Sequence, residues 1–190
     1  MKKVCVIITA RPSYSRIKST LVALKKDENI KLSIILSGSA LLDRYGKVSQ
    51  VIQDDGFSID FHIHNVIEGS QLFHSVKSVG IALIDLSSAI SNINPDLIIT
   101  IADRYETIAN AIASSYMNIP LLHIQGGELT GSIDNKVRHA ITKLADVHFV
   151  ATELARERVI SMGEDPKYVF KTGCPSLDLA LEIEKTPFLN

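Results

Sequence analysis

Apolar positions along the chain fall into short, nearly continuous runs separated by longer stretches in which they recur every three or four residues. Five runs, KVCVIIT (3–9), KLSIILSG (31–38), DLIITIA (96–102), PLLHIQ (120–125) and DVHFVAT (146–152), are rich in Val, Ile and Leu and scarcely alternate. Runs of this kind mark strands covered on both faces, and so a parallel sheet between layers of helices. SIDFHIH (58–64) alternates more cleanly and predicts a strand nearer an edge. Helical spacing predicts helices over about 13–26, 47–55, 70–92, 104–117, 134–144 and 153–162. In the longest, Leu72, Val76, Val79, Leu83, Leu86 and Ile90 form one stripe expected to face the sheet. Pro95 cannot continue that helix, and it biases Asn94 toward extended geometry. Strands alternating with helices give an α/β fold, a doubly wound, Rossmann-like parallel sheet. The domain is expected to fill residues 1–178, with 179–190 (LALEIEKTPFLN) as an exit segment.

Composition narrows the class. At 190 residues, 46% apolar and 22% charged, the chain can bury one α/β core. A net charge of −1 leaves no electrostatic footprint for nucleic acid or an anionic membrane. No apolar run approaches the roughly 18 residues of a membrane span. The opening MKKVCVIITARPSYS imitates a signal peptide, but its run is short, β-branched and followed by Arg11, as in a buried first strand. Cys5 and Cys174 lie far apart without ligand spacing, which points to a reducing cytoplasm.

In doubly wound sheets ligands bind beyond the carboxyl ends of the strands, which selects three places. TARPSYSRIK follows the first strand without the glycine-rich turn of a dinucleotide site, and no cofactor is expected. Arg11 there is a phosphate or nucleotide clamp or a solvated loop charge, with Ser13 or Ser15 as helix cap. In TIADRYET, Asp103 projects toward the crevice beside Arg104, while Asp103 and Glu106 also have the spacing of a capping box. HIQGGELTGSIDNKVRH (123–139) has Gly126 and Gly127 for close backbone approach or positive φ, then Glu128, Gly131 and Asp134, which is placed to cap a helix. That loop exceeds the usual length of about 2–6 residues, which favours a function. The histidines say less. His62 and His64 share a strand face but lack further ligands, and no metal site is expected. His123 reads as a core histidine; His139 faces either the crevice or solvent. Cys174 has no base beside it and is not expected to be a nucleophile.

The combination of ADRYE, HIQGGELTGSIDNKVRHAITKLADVHFVAT and TGCPSLD, with ARPSYSRIK before them, resembles the hydrolysing UDP-N-acetylglucosamine 2-epimerases of sialic and related nonulosonic acid synthesis. The resemblance covers this chain but only the N-terminal half of that family, whose two Rossmann-like domains have a glycosyltransferase-B-type arrangement. It implies a truncated or split form, with a homo-oligomer or a separate C-terminal chain as partner, and a UDP-sugar as ligand. The implied reaction removes the proton at sugar carbon 2, expels UDP from carbon 1 and hydrates the glycal to N-acetylmannosamine. By the same resemblance Asp103 and Asp134 match acidic residues in catalysis, and Glu128 the family's second loop carboxylate. Arg11 and Ser15 match residues near the nucleotide; Arg104, Gly126, Gly127, His139 and Ser176 join them around the substrate. Gln125 departs from the pattern, standing where many members carry a catalytic glutamate. An amide hydrogen-bonds a hydroxyl or water but cannot shuttle a proton. Either Asp103, Asp134 or Glu128 takes that step, or activity is impaired, or the substrate differs. The alternatives are a non-hydrolysing epimerase, a glycosyltransferase domain and a non-catalytic sugar-nucleotide-binding module.

Overall fold

A computed structural model of the protein describes residues 1–101, 104–131 and 133–185, without the side chains of Leu179 and of 182–185. Its strands are β1 (Lys2–Ile8), β2 (Ile30–Ser37), β3 (Phe61–Ile63), β4 (Leu97–Ile101), β5 (Leu121–Ile124), β6 (Val147–Val150) and β7 (Val169–Lys171). All pair in parallel, in the order β3-β2-β1-β4-β5-β6-β7. The helices are α1 (Arg11–Lys26), α2 (Val48–Asp54), α3 (Phe73–Ile93), α4 (Ile108–Tyr116), α5 (Ile133–Leu144), α6 (Glu153–Ser161) and α7 (Pro175–Lys185).

Successive strand residues point to opposite faces, and here both faces are buried. Val4, Val6, Ile8, Ile34 and Leu36 pack with Ile17 and Leu21 of α1 and Ile52 of α2. Cys5, Ile7, Ile35 and Ile98 pack on the other face with Ala82, Leu86 and Ile90 of α3 and with α4 and α5. This two-sided cover is why the strand runs are continuous rather than alternating.

Four local expectations change. β7 escapes the apolar pattern because only Val169 of its three residues is buried, Phe170 and Lys171 being exposed at the sheet edge. In α3, Leu86 and Ile90 are buried, but Leu72 and Val76 are 89% and 73% exposed. The small residues Ser78, Ala82 and Ala89 complete the sheet-facing stripe instead. Asn94 is not extended: it closes α3 in the left-handed region (φ 50°), its N–H donating to the Ile90 carbonyl at 2.8 Å. Asparagine tolerates that geometry, and capping outweighs the bias from Pro95. Finally, α3 has the length and mean hydropathy (1.3) of a membrane-spanning helix, although only 28% of that window is buried. The last described helix, α7, runs through 178–179 and packs on α1, Ser19 Oγ donating to the Pro175 carbonyl at 3.4 Å.

Candidate functional site

The chain winds outward from β1 to β3, then returns to β4 and winds the other way, so the order reverses between β1 and β4. Loops leaving the carboxyl ends of these two strands diverge and open a crevice. A cleft of about 220 Å³ lies there, lined by Ala10, Arg11, Pro12, Ser39, Tyr45 and Arg104. A second cleft of about 290 Å³ shares Arg11 and adds Tyr14, Ser15, Lys18 and Asp55.

Arg11 is exposed at the start of α1, and its Nη1 donates to the Tyr45 carbonyl at 3.5 Å. Gly46, at φ +96°, keeps room for it, since a Cβ there would lie 2.9 Å from Nη1. Neither serine caps α1. Ala10 is the N-cap; Ser13 N–H donates to the Ala10 carbonyl at 3.0 Å and Ser15 Oγ to the Pro12 carbonyl at 3.0 Å. With Pro12 carrying no N–H, the anion-binding capacity here rests on the Arg11 guanidinium rather than on helix amides.

Beneath this cleft sits Glu106, 2% exposed. Its Oε1 accepts from Arg104 Nε at 2.9 Å and from Ser39 Oγ at 3.2 Å, while Oε2 is buried without a partner. Glu106 therefore braces the cleft lining, and α4 follows a 3₁₀ turn at Tyr105–Thr107; the capping box expected between Asp103 and Glu106 falls outside the described residues. Burial disfavours the charge on Arg104, but Glu106, Tyr105 and Asp134 outweigh it and hold the guanidinium charged. Asp103 lies outside the described residues.

The loop after β5 reaches the same rim. Gln125 is 4% exposed with φ +64°, its N–H bonded to the Phe149 carbonyl at 2.8 Å. Its side chain bridges distant elements, Oε1 accepting from Arg16 Nη1 at 3.5 Å and Nε2 donating to Cys174 Sγ at 3.1 Å. Gly126 and Gly127 are used by internal packing. A Cβ on Gly126 would lie 3.0 Å from both His123 Nδ1 and Thr142 Oγ1; one on Gly127 (φ +79°) would lie 2.4 Å from the Ala155 carbonyl oxygen of α6. Arg158 also donates to the Gly127 carbonyl. The Glu128 carbonyl accepts from buried Arg138 at 2.7 Å.

Asp134 stands inside the first turn of α5, beyond the cap position, where a carboxylate complements the helix dipole. Its charge acts on Arg104, which ties this turn to the β4 end of the crevice. Asn135 Oδ1 closes the loop by accepting from Thr130 N at 2.6 Å. His139 is partly buried, and burial, then Arg138 and Arg158, hold its imidazole below its ordinary value. His123 is a core residue, its Nδ1 3.2 Å from Thr142 Oγ1. Ser176 lies half-buried in the first turn of α7. Among the described residues, no group of three or more His, Cys, Asp or Glu side chains is placed to hold a metal ion.

Arg11 and Arg104 thus share one cleft, with Ser15 in the adjoining one. Gln125, Glu128 and Asp134 stand on the same rim of the sheet, Gln125 held within its own polar contacts. Sequence reasoning passed over Glu106 as a bracing carboxylate, and Arg16, Arg138 and Arg158. The signal available was only the number of arginines just after strand ends or on the helices that follow them.

The family model described as UDP-N-acetylglucosamine 2-epimerase matches residues 22–187. The chain belongs to this family. A Legionella pneumophila relative named UDP-N,N'-diacetylbacillosamine 2-epimerase (hydrolyzing) is 36% identical over 178 residues, covering 94% of this chain and 47% of the relative. A Campylobacter jejuni GDP/UDP-N,N'-diacetylbacillosamine 2-epimerase (hydrolyzing) is 31% identical, with 90% and 45% covered. The chain spans about half the length of these curated relatives. Its fold matches the Neisseria meningitidis UDP-GlcNAc 2-epimerase bound to UDP-GlcNAc at a TM-score of 0.83, with 21% identity over 96% of this chain and 50% of that one. At that identity the likeness carries the fold alone, a Rossmann-like domain of the glycosyltransferase-B type.

Proposed function

We propose that this member of the epimerase family binds a UDP-linked 2-acetamido sugar in the crevice between β1 and β4, as the substrate-side half of a hydrolysing 2-epimerase. The observation that carries the reading is the meeting of Arg11, Arg104 and the bracing Glu106 at the switch point, with Asp134 electrostatically coupled to Arg104. The guanidinium groups suit a diphosphate. In the reaction, a base removes the proton from carbon 2 of the sugar. The released electron pair forms the carbon 1–carbon 2 double bond as the bond from carbon 1 to UDP oxygen breaks, and UDP leaves with that bond's electrons. Water then adds its hydroxyl to carbon 1, and a proton returns to carbon 2 on the opposite face. Carboxylates with environment-tuned pKa values suit these transfers, and Asp103, Asp134 and Glu128 are the candidates. Gln125 is assigned a positioning role, since an amide carries no proton.

A second reading concerns the sugar. The two hydrolysing relatives named for N,N'-diacetylbacillosamine favour a 2,4-diacetamido sugar over N-acetylglucosamine. Either substrate implies a cytoplasmic setting, with the C-terminal domain supplied by the same chain's continuation or by a separate one.

Product analysis by NMR tests the reading. With either UDP-sugar, the 190 residues alone are expected to release little UDP, because the sequence after β1 has no phosphate-cradling glycine loop. A chain extended to the relatives' length is expected to give UDP and the free 2-epimer. Accumulation of an epimerised UDP-sugar would contradict hydrolysis, and rapid UDP release by the 190 residues would contradict the division between halves.

A further inference from the structure

Between β2 and α2 the chain makes a 3₁₀ turn at Asp43–Tyr45. Apolar residues on either side of it turn inward: Leu41 packs on the core beneath α1, and Val48 is buried in it. Tyr45 does not. It is 48% exposed and belongs to none of the hydrophobic clusters formed by the described residues. Its backbone is nevertheless fixed. The Tyr45 N–H donates to the Leu42 carbonyl at 3.0 Å, and its own carbonyl accepts from Arg11 Nη1 at 3.5 Å. The next N–H, that of Gly46, donates to the Asp43 carbonyl at 2.9 Å. The ring lines the cleft of about 220 Å³ together with Arg11 and Arg104. Over the ring stands the Arg44 guanidinium, 4.9 Å from its centroid, and Arg44 is paired with Glu68 at 3.1 Å. An exposed ion pair of this kind adds little to stability. Its effect here is to keep the guanidinium against one face of the ring, which leaves the other face to the cleft.

We propose that Tyr45 is a platform on which the pyranose ring of the bound sugar nucleotide stacks, and so a residue that sets specificity for the sugar. This deepens the crevice reading above and rests on it. The cleft is smaller than the roughly 300–1,000 Å³ of a pocket that encloses a whole ligand, so it receives one part of the sugar nucleotide. Position selects the sugar rather than the base. The charge of Asp134, a candidate for proton transfer, acts on Arg104, so the reacting sugar belongs in the cleft that Arg104 lines. Tyr45 lines that cleft and not the adjoining one of Ser15 and Lys18. The chemistry also agrees. An aromatic face carries the negative side of the ring quadrupole, and the C–H groups on one face of a pyranose are apolar and slightly positive. Arg11, bonded to the Tyr45 carbonyl, would set the diphosphate beside the platform.

Titration of the labelled chain with UDP-N-acetylglucosamine and with UDP, which lacks the pyranose, tests it through the amide shifts of Arg11, Ser39 and Arg104. In Tyr45→Ala the dissociation constant for UDP-N-acetylglucosamine is expected to rise at least about fivefold, and that for UDP less than about twofold. Tyr45→Phe should stay within about twofold of the unsubstituted chain for both ligands. The ring takes no part in the core, so circular dichroism should show the fold retained in both variants. Equal weakening of the two ligands in Tyr45→Ala would give the ring to the nucleotide and overturn the proposal. A loss in Tyr45→Phe as large as in Tyr45→Ala would place the contact on the hydroxyl and overturn stacking. Binding that is weakened by Arg11→Ala but indifferent to Tyr45→Ala would overturn the platform while leaving the crevice reading intact. Crevice shifts absent with both ligands, or unaffected by Arg11→Ala and Arg104→Ala, would overturn the crevice reading and the proposal with it.

Discussion

Gly127→Ala is the sharpest test of how the loop after β5 is held. The substitution meets two obstacles. At φ +79° any residue with a Cβ occupies the left-handed region, at about 1–2 kcal/mol. The new methyl would also stand 2.4 Å from the Ala155 carbonyl oxygen and 2.8 Å from Val159 Cγ2, so α6 or the loop must give way. Overpacking of that kind costs about 1–3 kcal/mol. The expected loss is therefore about 2–5 kcal/mol, a large share of the 5–15 kcal/mol typical of a domain. Gly131→Ala is the internal control. Its φ is similar, +73°, but nothing lies within 4 Å of its Cβ, so the conformational cost of about 1–2 kcal/mol stands alone. Guanidinium denaturation followed by circular dichroism measures both through midpoint and slope. If Gly127→Ala proved no more destabilising than Gly131→Ala, the loop would not be seated on α6 as described.

Three further expectations follow from the polar contacts. Glu106→Ala, by depriving Arg104 of its carboxylate and Ser39 of one of two acceptors, the Thr9 carbonyl being the other, should cost about 1–3 kcal/mol, and Glu106→Gln less, in thermal denaturation; equal losses would remove the bracing role. Burial favours the neutral form of Asp55, but Lys18 Nζ at 2.6 Å and Tyr14 OH at 2.5 Å outweigh it and hold the carboxyl below its usual 3.8. Its contribution is present above that value and lost as pH falls through the lowered one, so Asp55→Asn should flatten the loss of stability in acid. For His139, burial and two arginines keep the folded imidazole below 6.5, so its contribution is complete above 6.5 and declines as pH drops toward the folded value. An NMR titration midpoint at or above 6.5 would contradict this environment.

What the sequence disclosed, and what it hid, follows from the range of the interactions concerned. Strands β1, β2, β4, β5 and β6 were legible because each is covered on both faces and has to be apolar at nearly every position. β7 was not, since three edge residues with one buried valine leave no pattern. Large apolar residues mark the buried side of α3 only at Leu86 and Ile90; Ser78, Ala82 and Ala89 complete it, and Val76 faces outward. In the site, rim positions such as Arg11, Gln125 and Asp134 could be found from their place after a strand. Their partners could not be. Gln125 meets Arg16 and Cys174 across 109 and 49 residues of sequence, and no local spacing signals such a bridge. Glu106 carried only the local spacing of a capping box; its contacts with exposed Arg104 and with Ser39, 67 residues away in sequence, left no such signal.

The central claim is that the β1–β4 crevice receives the diphosphate of a sugar nucleotide. Amide chemical-shift mapping of the labelled chain with UDP-N-acetylglucosamine tests it most directly. The account predicts perturbations concentrated at Arg11, Ser39, Arg104 and the loop from Gln125 to Glu128, weakened by Arg11→Ala and Arg104→Ala. Perturbations confined to the opposite rim of the sheet, around Asp146 and Glu164, or unchanged by both substitutions, would contradict it.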